Sequence, residues 1–318
     1  MKRWLAVGWA VVATGCGVAV GLAGCSSDDE QDGGSYAGSG GTGGTGGSTG
    51  GTGGSTGGTG GSTGGTGGST GGTGGSTGGT GGTTGGTGGG ISPAECVAAE
   101  PATLVPVTGG FSIDATEVTR CQYMAWLGTN PPTSGQPSYC DWNDNYTPSC
   151  EWPPFTRGDH PVTCVDWCDA YAYCLGVGKR LCGKIGGGAN AWGDHTNASE
   201  SQWYAACTSG GTNDYPYGDT YSATTCNGQD ADHGTTVPVA SMGGCQSSVS
   251  GYAGVYDLSG NVFEWEDSCN EDVGNFGICR LRGGSFDNVV SLLRCGFGAD
   301  QNRELQNGGV GFRCCSSP

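Results

Sequence analysis

The stretch from Tyr256 to Trp265 reads YDLSGNVFEW and constrains the fold more than any other part of the chain. It is followed by RGGSF at residues 282–286 and, near the end of the chain, by GFRC at residues 311–314. We interpret the first block as a turn that leads into a strand, because Asp, Ser, Gly and Asn favour turns whereas Val, Phe and Trp favour strands. Gly, Pro, Asn and Asp are frequent elsewhere in this part of the chain, which predicts irregular loops between short antiparallel strands.

Three upstream blocks complete an ordered pattern. They are FSIDATEVTRCQYMAWL at residues 111–127, HPVTCVDWCDAYAYC at residues 160–174 and GKRL at residues 178–181. With these blocks, residues 103–315 resemble the sulfatase-modifying-factor family, also called the formylglycine-generating enzyme family. The resemblance implies a C-type-lectin-like fold of the α+β class, irregular and disulfide-rich, whose loops carry the function. Because one fold can serve catalysts and binders, the resemblance does not by itself define an activity.

Two helices are predicted from their start and stop signals. TRCQ at residues 119–122 resembles a capping box, and Gly128 is a suitable stop for the helix that it opens. A second helix is expected from about Asp166 to Leu175, with Asp169 closing its cap.

A third, short helix is predicted farther along the chain. SESQ at residues 199–202 marks its start and Cys207 its end. The preceding residues, 182–199, are rich in Gly and form an insertion relative to the family. Residues 311–315 are interpreted as a strand, so the neighbouring Cys314 and Cys315 would point to opposite faces and need different partners.

The N-terminus is predicted to carry an export signal. Lys2 and Arg3 precede an apolar run that ends in LAGC at residues 22–25. Residues 1–25 are therefore predicted to be a lipoprotein signal peptide, with Cys25 lipidated as the mature N-terminus. The alternative is a retained transmembrane anchor, for which the run is short and rich in glycine.

Residues 26–90 consist largely of Gly, Thr and Ser in repeated units. Such a segment lacks the apolar side chains that offset backbone entropy, so we expect a disordered linker with a reach of roughly 40 Å. It would act as a flexible tether that connects the domain, residues 91–318, to a membrane. The alternative is a low-complexity expansion without a spacing role.

The charge is strongly acidic, with 12 Lys and Arg against 29 Asp and Glu and a net charge of −17. No basic stripe is available to displace the counterions of phosphates. We therefore expect no nucleic-acid partner.

Cysteine is abundant, and in an exported chain, as predicted here, disulfides are the expected use of it. Of the 18 cysteines, Cys16 would leave with the signal and Cys25 would carry lipid, which leaves 16 in the domain. The resemblance implies that Cys174 pairs with Cys314, and Cys207 with Cys295. Other connectivities stay open, including short-range pairs that are sterically possible: Cys140 with Cys150, Cys226 with Cys245, and Cys269 with Cys279.

Calcium is the cofactor that the resemblance implies. The family places it at positions matching the side chains of Asp257 and Glu264 and the carbonyls of Gly260 and Val262, an oxygen set that suits this cation. The alternative is that Asp257 caps a turn and Glu264 accepts hydrogen bonds beneath Trp265.

A second calcium of the family would fall in a stretch that is shortened here. The matching ligands are Asn227, the Gly228 carbonyl, and either Asp230 or Asp232.

Copper is not supported, although the resemblance implies copper(I) held by two thiolates after the Gly-Gly-Ser block. Asn288 stands at the position of the first copper cysteine, and no cysteine lies between Ser285 and Cys295. Cys295 matches a disulfide cysteine of the family. Ser285 is expected to be a loop residue with no base beside it, so no catalytic residue is predicted.

The favoured hypothesis is a non-catalytic, calcium-stabilised binding module. It would be lipid-anchored in a bacterial cell envelope, in the periplasm or at the cell surface, with a ligand that the sequence does not identify. One alternative is a family oxidase acting on protein cysteine, or another metal-dependent oxidation. Another is a structural envelope protein.

Overall fold

A computed structural model describes residue 96 and residues 99–154, 157–271 and 273–317. The predicted signal peptide, Cys25 and the predicted linker all lie outside these residues. None of the helices in the described part is long and apolar enough to cross a membrane.

Three α-helices lie wholly within the described residues. They are α1 (Arg120–Leu127), α2 (Trp167–Gly176) and α3 (Gln202–Cys207). Both predicted caps of the first two helices are confirmed: Thr119 forms a capping box with Gln122, and Asp166 forms one with Asp169. These signals are reliable because each cap satisfies backbone N–H groups only three residues away.

The start predicted for α3 is wrong by two residues. Ser201, not Ser199, is its N-cap, and the Ser201 Oγ accepts the backbone N–H of Tyr204 at 3.1 Å. The same hydroxyl donates to Glu266 at 2.6 Å. A partner 65 residues away therefore fixes the start of this helix.

Eight short strands form two four-stranded sheets within the described residues. The first sheet has the order β1-β2-β8-β3 and the second the order β6-β5-β4-β7. Every pairing is antiparallel, as predicted, except that β4 and β7 run parallel. The strands are β1 (Leu104–Val107), β2 (Phe111–Asp114), β3 (Arg180–Leu181), β4 (Phe263–Cys269), β5 (Ile278–Arg282), β6 (Gly298–Asn302), β7 (Val310–Phe312) and β8 (Cys314–Ser316).

Residues 311–315 do not form one strand, which corrects the sequence interpretation. The chain leaves the second sheet at Phe312 and enters the first at Cys314. Arg313 lies between the two strands and is fully buried. The side chain at this crossing therefore contacts groups from both sheets.

Aromatic side chains fill the larger core cluster. Tyr173 of α2 stacks on Tyr123 of α1 with ring centroids 5.5 Å apart, and the Phe312 ring meets Tyr173 edge-on at 5.4 Å. Gly176 ends α2 beside Trp126, where a Cβ would come within 2.3 Å of the indole nitrogen. A glycine at this position allows the two helices to pack closely.

Each of the described cysteines is in a disulfide. The pairs implied by the resemblance, Cys174 with Cys314 and Cys207 with Cys295, are both present. Cys315 pairs with Cys182, so the neighbouring cysteines have different partners as predicted. The remaining pairs are Cys96–Cys121, Cys140–Cys168, Cys150–Cys164, Cys226–Cys245 and Cys269–Cys279.

One short-range pair considered in the sequence does not form. Cys140 pairs with Cys168 of α2, whose Cα lies 5.8 Å away, and this leaves Cys150 to pair with Cys164. The packing of the loop on α2 decides this choice. The number of disulfides indicates an oxidising, extracytoplasmic compartment.

Candidate functional site

A buried ion pair lies where the chain crosses between the sheets. Nε and Nη2 of Arg313 each donate to a different oxygen of Glu264, both at 2.7 Å. Glu264 also accepts the indole N–H of Trp203 at 2.9 Å. Arg313 further donates to the backbone carbonyls of Asp114 and Tyr256.

Two further carboxyl groups face this pair. Glu117 Oε2 lies 4.0 Å from Nη2 of Arg313, and Asp257 accepts the backbone N–H of Ala240 at 2.6 Å. Burial raises the pKa of Glu117 well above its usual range, and the nearby Asp257 raises it further. Burial also raises the pKa of Asp257, to about 6.

The charge of Arg313 is retained despite its burial. Burial alone would lower the pKa of the guanidinium, but the carboxylates of Glu264 and Glu117 more than offset this effect and raise it. One guanidinium thus interacts electrostatically with a cluster of three carboxyl groups, those of Glu264, Glu117 and Asp257. Glu264 is its direct partner.

The first predicted calcium set does not fit this geometry. Asp257 and Glu264 do lie in one buried cluster, as the resemblance implied, and Gly260 and Val262 lie between them in the chain. However, both oxygens of Glu264 are already bonded to the Arg313 guanidinium. A divalent cation would have to displace this pairing, so the geometry favours the alternative reading, in which Glu264 accepts hydrogen bonds. Within the described part of the chain, no group of three or more His, Cys, Asp or Glu is arranged to hold a metal.

The second calcium set is only partly assembled. Asn227 is buried, and its Oδ1 has no hydrogen-bond partner, which would suit a cation ligand. The Gly228 carbonyl accepts the backbone N–H of Ala231 at 3.0 Å, and Asp232 is exposed. Calcium at this place stays a prediction.

Asn288, at the position of the first copper cysteine, holds the RGGSF loop in place. Its Oδ1 accepts the backbone N–H of Ser285 at 2.9 Å and lies 3.0 Å from the Ser285 Oγ. The backbone before it is tightly enclosed: a Cβ on Gly284 would come within 2.9 Å of the Leu292 carbonyl. The amide of Asn288 thus acts as a structural clamp.

Ser285 has a carboxylate beside it, which corrects the expectation that no base is near. Its hydroxyl donates to Asp287 at 2.6 Å. Ser285 is buried and Asp287 is exposed. In the sequence, the only sign of this contact was that Asp287 follows Ser285 by two residues. The conformation of the loop determines whether the hydroxyl and the carboxylate meet.

The role of Arg313 was not predicted from the sequence. Arg313 belongs to the GFRC block, but its partners Glu264 and Glu117 lie far away in the chain. The only available signal was that a strand-like segment contained an arginine, a side chain that is seldom buried without a partner.

The strand order, the disulfides and the loops that carry the site define a C-type-lectin-like protein of the α+β class. A model of the sulfatase-modifying factor enzyme 1-like domain matches residues 77–318, so the chain belongs to this family. The match begins within the segment predicted to be a linker.

Curated relatives share part of their length with this chain. It is 27% identical over 190 residues to the formylglycine-generating enzyme of Bos taurus, covering 50% of this chain and 45% of that protein. It is 28% identical over 186 residues to that of Streptomyces coelicolor, covering 50% and 54%. It is also 30% identical over 171 residues to the serine/threonine-protein kinase Pkn1 of Chlamydia trachomatis, covering 49% and 24%. The chain therefore spans between about a quarter and about half of these relatives.

Solved structures are similar at lower identity. The structure of CarF is 22% identical with a TM-score of 0.46, covering 69% of this chain and all of that one. The structure of PvdO from Pseudomonas aeruginosa is 19% identical with a TM-score of 0.44, covering 65% and 80%.

Proposed function

We propose that the protein is a lipid-anchored binding module of the cell envelope that does not generate formylglycine. The observation that carries this proposal is the state of the cysteines. Every cysteine in the described part of the chain is in a disulfide. A disulfide sulfur cannot act as the thiolate that a copper(I) site needs.

The loop that follows the Gly-Gly-Ser block supports the same conclusion. Asn288 presents an amide where the family's first copper ligand would present sulfur, and that amide is bonded to Ser285. Cys295, the next cysteine along the loop, is joined to Cys207. The residues present therefore do not fit a copper site of the family type.

Titration of free thiols tests this part of the proposal. The mature protein, purified without reductant and denatured, is expected to show no reactive thiol. The same sample after reduction serves as the control for complete access. Two or more free thiols per chain would favour the competing function, a family oxidase acting on protein cysteine or another metal-dependent oxidation.

Lipid attachment is the second part of the proposal, and it rests on the LAGC site before Cys25. The lipid and the predicted linker, residues 26–90, would present the domain to a ligand in the periplasm or at the cell surface. Substitution Cys25→Ala should leave the precursor uncleaved or release the protein from membranes. A variant that remained in the detergent phase as a processed chain would remove the lipid anchor from the proposal.

A further inference from the structure

A surface groove lies beside α3. We call it the Tyr204 groove, and its cavity volume is about 340 Å³. This is within the range of roughly 300 to 1,000 Å³ that is typical of small-ligand sites. Its lining includes the side chains of Tyr204, Asn213, Asp214, Ser291, Arg294 and Phe297.

One wall of the groove is polar and carries no net charge. Nη1 of Arg294 lies 3.1 Å from Oδ2 of Asp214, and each side chain is about half exposed. The pair offers planar donors and acceptors to a ligand, and Ser291 adds a hydroxyl. Asn213 adds its amide oxygen, because its amide nitrogen already donates to the Ser209 hydroxyl and the Pro216 carbonyl. Because the two charges compensate each other, this wall does not select an anion or a cation.

Aromatic rings complete the lining. Tyr204 and Phe297 are both partly buried, so each ring is partly supported by the protein and partly open to the groove. Such rings provide apolar contact area with little loss of conformational entropy. A ligand that matches this groove has apolar C–H faces and hydroxyl groups at its edges.

The lining is held in place before any ligand arrives. The disulfide between Cys207 and Cys295 joins α3 to the segment that carries Arg294 and Phe297. The backbone N–H of Cys295 donates to the Asp214 carbonyl at 2.9 Å, and that of Phe297 donates to the Arg294 carbonyl at 3.0 Å. A preorganised lining loses less entropy on binding.

Other ligand classes match this groove less well. Phosphate-bearing ligands would meet a chain of net charge −17 and an arginine that already has an acidic partner. A purely apolar ligand would leave the Arg294 and Asp214 pair desolvated without compensation.

We propose that the Tyr204 groove binds a neutral carbohydrate. Sugar rings stack their C–H faces on Tyr204 and Phe297, and neighbouring hydroxyls bond to Asp214, Arg294 and Asn213. This inference deepens the proposed function, on which it rests, by naming the ligand class of the binding module.

Saturation-transfer NMR on the purified mature protein tests the proposal. The probes are the neutral tetrasaccharides chitotetraose, cellotetraose and maltotetraose, with a heparin tetrasaccharide and an uncharged tetrapeptide as competitors of other classes. We expect transfer to the ring C–H protons of at least one neutral sugar. Absence of transfer to all three sugars, or binding of the heparin fragment or the peptide alone, would overturn the assignment.

Variants test whether the sugar binds in the Tyr204 groove. Arg294→Gln and Phe297→Leu are each expected to weaken sugar binding by about tenfold or more, because each removes a direct contact. The matched control is Phe276→Leu, since Phe276 is 67% exposed and does not line the groove. Thermal melting verifies that each variant is folded. Arg294 is about half exposed, so its variant keeps the test valid if Phe297→Leu does not fold. Equal sugar affinity in wild type and Arg294→Gln would overturn the groove assignment.

The thiol titration separates this inference from the function on which it rests. If the protein is fully oxidised but binds none of the sugars, the carbohydrate proposal is wrong and the binding-module proposal still stands. If the protein binds sugar and also has a free thiol pair, the sugar site in the Tyr204 groove is supported and the proposal of a non-catalytic function is wrong.

Discussion

Arg313 and Glu264 form a two-point ion pair in which two nitrogens of the guanidinium each lie 2.7 Å from a different carboxylate oxygen. Both side chains are buried. Glu264 is on β4 of one sheet, and Arg313 lies where the chain passes from that sheet to the other. The pair therefore couples the two sheets at a position that the family resemblance had assigned to calcium.

Breaking this pair should be strongly destabilising. We expect Arg313→Met to lower the free energy of unfolding by about 3 to 5 kcal/mol, because Glu264 would remain buried without its partner. The measurement is denaturant unfolding with the disulfides intact. Lys184 and Glu200 form a matched control, since their pair is partly exposed to solvent, and Lys184→Met should cost no more than about 1 kcal/mol. Similar losses in the two variants would contradict a structural role for the buried pair.

Stability should increase on mild acidification. Burial raises the pKa of Asp114, Asp166 and Asp257 from 3.8 to about 6. A carboxyl group with a raised folded-state pKa stabilises the fold fully below its unfolded pKa, and this contribution is lost as the pH rises through the folded value. The melting temperature is therefore expected to rise as the pH falls from about 6 to about 3.8.

Asp166→Asn provides the check on that pH dependence. Asparagine is a good N-cap, so α2 should retain its start while one titrating group is removed. The dependence of melting temperature on pH should become shallower in this variant. A steeper or unchanged dependence would show that Asp166 is not one of the groups responsible.

Calcium should not act through the first predicted set. Because Glu264 is already paired with Arg313, we expect Asp257→Asn to leave any effect of calcium on the melting temperature unchanged. The test compares wild type and variant in added calcium and in chelator. If calcium stabilised the wild type and Asp257→Asn abolished that effect, the cation would have to displace Arg313, and our interpretation of the pair would be wrong.

The second predicted set is tested in the same experiment. The unpartnered Oδ1 of Asn227 is the group that suits a cation there. We expect that Asn227→Leu, rather than Asp257→Asn, removes any stabilisation by calcium. Loss of the effect in neither variant would place the cation elsewhere.

Local features of the fold were predictable, whereas long-range contacts were not. The caps at Thr119 and Asp166 depend on residues three positions away, and both were found from the sequence. Ser201 was missed as the cap of α3 because its hydroxyl is also held by Glu266, far along the chain. The break at Arg313 was missed because the two halves of the segment pair with strands of different sheets.

The candidate site shows the same limit. The asparagine at position 288 can be read directly from the sequence, and so can the absence of cysteine between Ser285 and Cys295. The pairing of Glu264 with Arg313 required knowledge of the crossing between sheets. The Tyr204 groove brings together α3, residues near Asp214 and the segment around Arg294, which only the folded chain places side by side.

Formylglycine formation is the measurement that tests the central claim most directly. The copper-loaded mature protein is incubated with a sulfatase-motif peptide, and conversion of the peptide cysteine to the aldehyde is followed by mass spectrometry. A formylglycine-generating enzyme under the same conditions is the positive control. Because Asn288 replaces one thiolate and Cys295 is joined to Cys207, we expect no loss of mass from the peptide. Conversion of even a modest fraction of the peptide would contradict the account of this protein as a binding module.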